Sequence, residues 1–278
     1  MVEVDAATGR ISLKYLKQSP VSTGNHSIGV IMTLKFDDLW DTRNQALTEL
    51  AIDLHSEASM VASVFTLLDE CLDDYEKFFV GKTPLADLSV LVTLKGKNIA
   101  LGCLSLTLDG LAQEAGALLR MLLEAIELLA YLRDVPGSVD QALNSALPKA
   151  GKIAQRINGK FEDLRGYLNT NASHLTLEYD SISHLIDRSS GGLRKVQVHS
   201  PSVLRTNLGW LASFTTMLLL ESSLTLGKCT VLTNIAPVTT EAFLSKCSAC
   251  RNDALHLFYP ESVITKVGHV EMPRGVEQ

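Results

Sequence analysis

The sequence predicts a mainly α protein, a long antiparallel helical bundle with a small β-ribbon within residues 1–37. Two observations predict this class. After residue 37, apolar residues recur at steps of three and four, which is the period of helices with one buried face. Apolar residues make up 46% of the 278 residues and charged residues 20%. The chain therefore has enough apolar material for a core and is not intrinsically disordered.

The N-terminal ribbon is predicted from two strand-like segments. Apolar side chains alternate with polar ones over residues 11–15, and residues 28–34 are rich in β-branched side chains. Turn-forming residues separate the two segments. Residues 263–270 are also partly β-branched and can add a strand from the far end of the chain.

Helices are predicted over most of the remaining chain. They cover residues 38–79, 84–108, 111–133, 148–168, 175–189, 202–226 and 239–257. Thr83 can cap the second helix, because Pro84 follows at its first position. Long helices with short connections favour a single bundle domain over residues 38–259. Residues 1–37 would then form a ribbon or extended arm, and residues 260–278 a strand or tail.

Charge and cysteine content exclude several classes of protein. The net charge of −6 argues against a DNA-binding or membrane-coating protein that acts through bulk charge. The two most apolar runs, residues 98–108 and 208–220, are shorter than the roughly 20 residues that cross a bilayer. Five cysteines are an odd number and no basic, apolar leader opens the sequence. We therefore expect a cytoplasmic protein with no membrane partner and no disulfide framework.

Signature motifs of several enzyme classes do not occur in the sequence. It has no phosphate-binding P-loop, no dinucleotide-binding glycine motif, no zincin motif and no hydrolase nucleophile elbow. Cys247 and Cys250 form a lone Cys-x-x-Cys pair inside a predicted helix, whereas structural zinc usually has four ligands. We interpret these two cysteines as small packed residues, and we expect neither a metal nor a cofactor.

Charged residues within apolar helices are candidate functional groups. Arg120 and Glu124 are spaced i, i+4 and can pair, with Glu127 one turn further on. Charges in such an apolar band are costly unless they have partners, so they form either a buried structural ion pair or the wall of a cleft. His184, with Arg188 four residues later, can act as an acid or base near pH 7, or simply hydrogen bond between helices.

In the last predicted helix, four residues separate Arg251 from His256, and Asn252 directly follows Arg251. This pattern resembles the signature of HEPN domains, which are all-helical modules of bacterial toxins and antiviral systems. Many of them are metal-independent ribonucleases. The resemblance implies that Arg251 binds phosphate, that His256 moves a proton and that Asn252 positions the substrate. The same spacing occurs from Arg194 to His199 in a predicted loop, but the family places its motif on a helix, which favours Arg251.

A second resemblance covers roughly residues 85–195. The Arg-x-x-x-Glu helix that ends near Asp134-Val-Pro136 is similar to that of a bacterial helical family of unknown function, often grouped with HEPN-like proteins of phage defence. In that family a Tyr/Ser/His segment follows, similar to the one that ends here at His184. The family histidine usually precedes proline, whereas Leu185 follows here.

Two functions from different classes remain open. The first is a non-catalytic helical module that binds a partner protein or a small ligand, as a homodimer, which the acidic net charge favours. The second is a HEPN-like metal-independent ribonuclease or nucleotide-binding toxin, with RNA and an antitoxin as partners. Its catalytic residues would be Arg251, Asn252 and His256, and Arg120, Glu124, His184 and Arg188 would line or support the cleft.

Overall fold

The computed structural model describes residues 2–4, 11–13, 37–171, 185, 197–235 and 240–259. The chain divides into two compact units, Met1–Lys35 and Phe36–Gln278. In the first unit, strands β1 (Val2–Val4) and β2 (Ile11–Leu13) pair antiparallel. The second unit is helical, so the described part of the chain is mainly α, which confirms the predicted class.

One long helix lies at the centre of the second unit. The helices are α1 (Asp37–Ile52), α2 (His55–Phe78), α3 (Pro84–Leu108), α4 (Ala112–Asp134), α5 (Ser138–Leu143), α6 (Ala150–Arg156), α7 (Glu162–Asn171), α8 (Pro201–Thr233) and α9 (Thr240–Phe258). Helices α2, α3, α4 and α9 all pack against α8, and α3 and α4 form an antiparallel hairpin. The core therefore surrounds α8.

The start of α3 follows from local chemistry. The hydroxyl of Thr83 accepts a hydrogen bond from the Ala86 amide at 3.1 Å, and Pro84 occupies the first helical turn. Proline costs nothing there, because the amide it lacks has no partner within the helix. The predicted cap of this helix is confirmed.

The prediction of one continuous helix over residues 38–79 is wrong. The chain breaks between α1 and α2, where the amides of both Asp53 and Leu54 donate to the carbonyl oxygen of Glu49 at 2.9 Å. Leu54 then turns into the core. The apolar period continues across the break because both helices bury a face in the same core, so the period could not reveal it.

The prediction of one helix over residues 148–168 is also wrong. Helices α6 and α7 cover this region, and Asn158 and Gly159 between them have φ angles of 60° and 63°. Two residues in the left-handed region end an α-helix, because the amides that follow can no longer reach the carbonyl oxygens four residues earlier. Helix α5 was not predicted, and α8 extends to Thr233, beyond the predicted end at residue 226.

The described residues do not support the β-ribbon predicted from residues 11–15 and 28–34, and they do not support the C-terminal strand. The strands in this part of the chain are β1 and β2, of three residues each, and β2 pairs with Val2–Val4. Residues 28–34 and 263–270, and the helix predicted at 175–189 apart from Leu185, lie outside the described residues.

In the described part of the chain, α3 is the one helix long and apolar enough to cross a membrane. This criterion uses length and composition alone, and a core helix of a helical bundle also meets it. Here α3 packs against α4 and α8.

Candidate functional site

The predicted pair of Arg120 and Glu124 forms on α4. Nη1 of Arg120 lies 2.9 Å from Oε1 of Glu124. Nε of Arg120 donates to Oδ1 of Asn169 on α7 at 2.9 Å, so the arginine also links two helices. Nη1 is buried and makes no hydrogen bond of good geometry, even to Glu124. Glu124 and Asn169 therefore hold the guanidinium group of Arg120 in place.

Glu127 has an arginine partner on another helix, Arg165, which the sequence did not indicate. Its side chain is only 1% exposed, and Arg165 of α7 donates to both carboxylate oxygens, from Nε to Oε1 at 3.0 Å and from Nη2 to Oε2. Burial, together with the nearby charge of Arg120, lowers the pKa of Arg165. Arg120, Glu124, Glu127, Arg165 and Asn169 thus form an α4–α7 ionic network.

The three residues of the HEPN-like motif lie elsewhere, on the solvent side of α9. Arg251, Asn252 and His256 are all exposed. The opposite side of α9 is buried, through Phe243, Cys247, Cys250 and Ala254. Helix α9 packs against α2 and α8, whereas α4 packs against α3, α6, α7 and α8. Among the described residues, no hydrogen bond or ion pair joins the α9 motif to Arg120 or Glu124.

His184 and Arg188 lie outside the described residues, as does Arg194 of the second motif copy. His199, the last residue of that copy, is half-buried, and its Nε2 atom is buried without a hydrogen-bond partner.

His199 lines a cavity of about 410 Å³ beside α1. Asp41, Glu49 and Asp53 contribute three carboxylates to the wall, so the cavity carries negative charge. Throughout the described ranges, no group of three or more His, Cys, Asp or Glu side chains is arranged to hold a metal ion. The three carboxylates attract cations in general and are not arranged around one ion.

A cavity of about 370 Å³ lies between the start of α3 and the end of α4. Arg133 and Asp134 line it, and Arg133 donates to both oxygens of Asp134 at 2.8 and 2.7 Å. This hydrogen bonding holds the pKa of Asp134 below its usual value. Nη1 of Arg133 also lies 2.5 Å from the carboxylate of Glu221, which Lys160 binds as well.

Glu221 is a buried charged residue that the sequence did not mark as a site residue. A signal was present, because this glutamate interrupts the apolar run at residues 208–220. The sequence could not supply its partners, since Arg133 and Lys160 are 88 and 61 residues away along the chain. Arg133 and Lys160 together compensate the negative charge of Glu221 within the bundle.

The cysteines are buried as small packed residues, as interpreted for Cys247 and Cys250. All five thiols are free and buried. Burial raises the pKa of Cys103 to about 12 and that of Cys229 to about 11. Because the thiolate is the nucleophile and the metal ligand, these thiols are unreactive at neutral pH.

The outer side of the α3–α4 hairpin is unusually apolar. Leu91, Leu94 and Leu101 of α3 are 63%, 44% and 43% exposed, and Met121 of α4 is 47% exposed. The leucines are three and seven residues apart and therefore share one side of the helix. Both helices pack against α8, so their exposed sides point away from it. We call this surface the α3–α4 face; it also includes the half-buried residues Leu118, Ala125 and Leu128.

Comparison of the chain with family models, curated proteins and solved structures gave no match.

Proposed function

We propose that the chain is a non-catalytic helical module that binds another protein chain through the α3–α4 face and works as a homodimer. The single observation that carries this proposal is the exposure of Leu91, Leu94, Leu101 and Met121 on two adjoining helices. Soluble monomers rarely expose contiguous apolar patches larger than a few hundred Å². Such a patch is typical of a surface that another protein covers.

The bundle itself does not need these side chains. The inner side of α3 already has its core contacts, because Gly96 lets Leu218 of α8 approach closely and Thr93 hydrogen bonds to Ser222 at 2.9 Å. The outer leucines therefore contribute little to the core. Their exposure costs solubility, and a partner that removes them from water supplies a reason for their presence.

A protein partner fits this surface better than a small ligand does. The two cavities, of about 410 and 370 Å³, are near the lower limit of small-molecule sites and have charged walls. The α3–α4 face is instead an open, two-helix surface. Another helical surface can cover it by ordinary helix packing.

Site-specific photo-crosslinking tests the proposal. A photoreactive residue replaces Leu94 or Leu101, or replaces Asp73, an exposed residue of α2 that serves as the control. We expect one adduct of defined mass from both face positions, in the purified protein or in the producing cells, and none from position 73. No adduct from either face position, or equal adducts from all three, would contradict the proposal.

The ribonuclease remains a second proposal, because Arg251, Asn252 and His256 are all accessible on one helix. Its test is cleavage of single-stranded RNA in the presence of a chelator. Arg251→Ala and His256→Ala should each lower the rate at least about 100-fold, since each group would act on the transition state. Ser245→Ala, an exposed change on the same helix, is the control. Equal rates in all variants would assign the activity to a contaminant.

A further inference from the structure

We propose that residues 137–160 form a strap that opens as one unit while the rest of the bundle stays folded, and that Glu221 of α8 is the residue that anchors it. The strap contains α5, α6, the segment between them and the turn after α6. It also supplies part of the wall of the cavity of about 370 Å³. The inference goes beyond the proposed function, since it does not involve the residues of the α3–α4 face.

Both ends of the strap lie at Glu221. Just before the strap, Arg133 of α4 places Nη1 2.5 Å from Oε2 of this glutamate. At the end of the strap, Lys160 binds Oε1 of the same carboxylate. The chain therefore leaves the bundle beside Glu221 and returns to the same point. A segment whose ends are held close together can detach without separating the elements on either side of it.

The strap buries few of its side chains. It lies entirely within the described residues, and Ser138, Ile153 and Ala154 alone are buried. By contrast, α8 buries about half of its 33 residues. Ile153 and Ala154 do not belong to the main hydrophobic core, and Val139 and Ala142 touch that core while they stay partly exposed. Detachment of the strap therefore exposes little apolar surface and leaves the main core intact.

The two helices of the strap are too short to be stable alone. Helix α5 has six residues and α6 has seven, whereas isolated helices shorter than about 12 residues are marginal in water. Left-handed residues follow both helices, with φ of 55° at Ser145 and 60° at Asn158. Residues 143–147 are all exposed. Because neither helix persists without its contacts to the bundle, both lose their structure together when the strap detaches.

Polar contacts hold the strap to the bundle. The hydroxyl of the buried Tyr131 donates to Oε1 of Gln141 in α5 at 2.8 Å and accepts from Nη1 of Arg156 in α6 at 2.8 Å. Lys160 adds its ion pair with Glu221. When the strap leaves, Glu221 keeps Arg133 and the Tyr131 hydroxyl can bond to water. Opening therefore leaves no buried charge without a partner, so it costs less than unfolding of the bundle.

Helix α7 marks the end of the opening unit. Arg165 of α7 binds both carboxylate oxygens of the buried Glu127, and Leu168 belongs to the main core. Release of α7 would break this buried ion pair and open the core, which is much more costly. The strap therefore ends at the turn before α7.

Opening of the strap changes access to the cavity. Gly137, Ser138 and Val139 of the strap line the cavity together with Leu85 of α3, whose side chain is only 5% exposed. Departure of the strap removes this part of the wall and brings Leu85 into contact with water. The strap is thus a lid on this cavity.

Native-state hydrogen exchange of the purified full chain, measured by mass spectrometry at several low urea concentrations, tests the strap. We expect the amides of α5 and α6 to exchange together, at least about 100-fold faster than the slowest amides of α3, α4 and α8. Their exchange should also depend less on urea, because the open state exposes less surface than the unfolded chain. Exchange of α5 and α6 with the rate and urea dependence of α8 would overturn the proposal.

Lysine variants test the anchor. Lys160→Met keeps a side chain of similar length without the charge, and we expect it to raise the exchange rate of the strap about 10-fold. Lys152→Met is the matched control, since Lys152 is an exposed strap residue that hydrogen bonds to Gln155 within the strap. Tyr131→Phe, which removes the other polar contact, should act like Lys160→Met. Equal effects of the two lysine variants would show that Glu221 is not the anchor.

Iodoacetamide labelling of Leu85→Cys tests the lid. The native thiols are all buried, so the new thiol gives the signal. We expect its labelling rate to have the urea dependence of strap exchange and to rise by the same factor with Lys160→Met. Labelling with the steeper urea dependence of α3 exchange would overturn the lid, because Leu85 would then become accessible only when the bundle unfolds.

Discussion

Arg165 of α7 binds both carboxylate oxygens of Glu127 on α4, at a point where the glutamate is almost completely buried. Between these residues the chain leaves α4, forms α5 and α6 and returns. The bidentate pair therefore holds α7 against the bundle. It also compensates a carboxylate that would be very costly to bury alone.

Removal of this arginine should be strongly destabilising. We expect Arg165→Ala to lower the free energy of unfolding by about 3–5 kcal/mol, because it leaves Glu127 charged and buried without its partner. Glu124→Gln is the control, since that side chain is 43% exposed, and we expect a loss below about 1 kcal/mol. Urea unfolding followed by circular dichroism measures both. Equal losses would show that burial of Glu127 does not decide the cost.

Two glycines within helices should respond oppositely to alanine. A Cβ atom on Gly96 of α3 would lie 2.8 Å from Cδ2 of Leu218, whose side chain is fully buried. We expect Gly96→Ala to lower stability by about 1–3 kcal/mol through overpacking.

Gly227 of α8 has no such neighbour within 4 Å of an added Cβ atom. Gly227→Ala should therefore raise stability by about 0.5–1 kcal/mol, because alanine loses less backbone entropy in a helix. Thermal unfolding of the two variants beside the wild type checks both signs. A gain in the Gly96 variant would mean that Leu218 can repack.

The cysteines should be protected in the folded protein. All five thiols are buried, and burial raises the pKa of Cys103 and Cys229. We expect negligible alkylation by iodoacetamide at pH 8 in the native state and modification of all five thiols in guanidinium chloride. Ser63→Cys, at an exposed position of α2, supplies a reactive internal standard. Rapid labelling of a native cysteine at the rate of that standard would contradict the burial.

The hydrogen bonds from Arg133 to Asp134 should appear in the acid dependence of stability. They lower the pKa of Asp134 in the folded state, so their contribution is present above the unfolded value of about 3.9. It is lost as the pH falls through the lower, folded value. Asp134→Asn should therefore lower the urea midpoint relative to the wild type at pH 7, and should lower it less at pH 2.5. A difference that does not change with pH would assign it to packing.

The sequence predicted an element correctly where local chemistry alone defines that element. Thr83 and Pro84 start α3, and Gly110, with φ of 74°, ends the turn into α4. The same local period predicted the contact between Arg120 and Glu124, which are one turn apart on a single helix. Elements of this kind need no information from distant parts of the chain.

Other features depended on distant contacts. The break at Asp53 and Leu54 has no glycine or proline to mark it, and Leu54 is buried by the core that both helices share. Arg133 comes to Glu221 from α4, and Lys160 comes from the turn between α6 and α7. Periodicity gives the side of a helix that is buried, but it does not give the neighbour that buries it.

The sequence by itself determined the helical class, the short connection between α3 and α4, and the wide apolar composition of both helices, because these depend on interactions within a few residues. Only the tertiary structure decided which apolar residues remain outside. Leu91 and Leu94 have the same hydrophobicity as the buried Leu122 and Leu123. They differ in their position relative to α8: its surface accommodates one side of each helix, and the other side stays in contact with solvent.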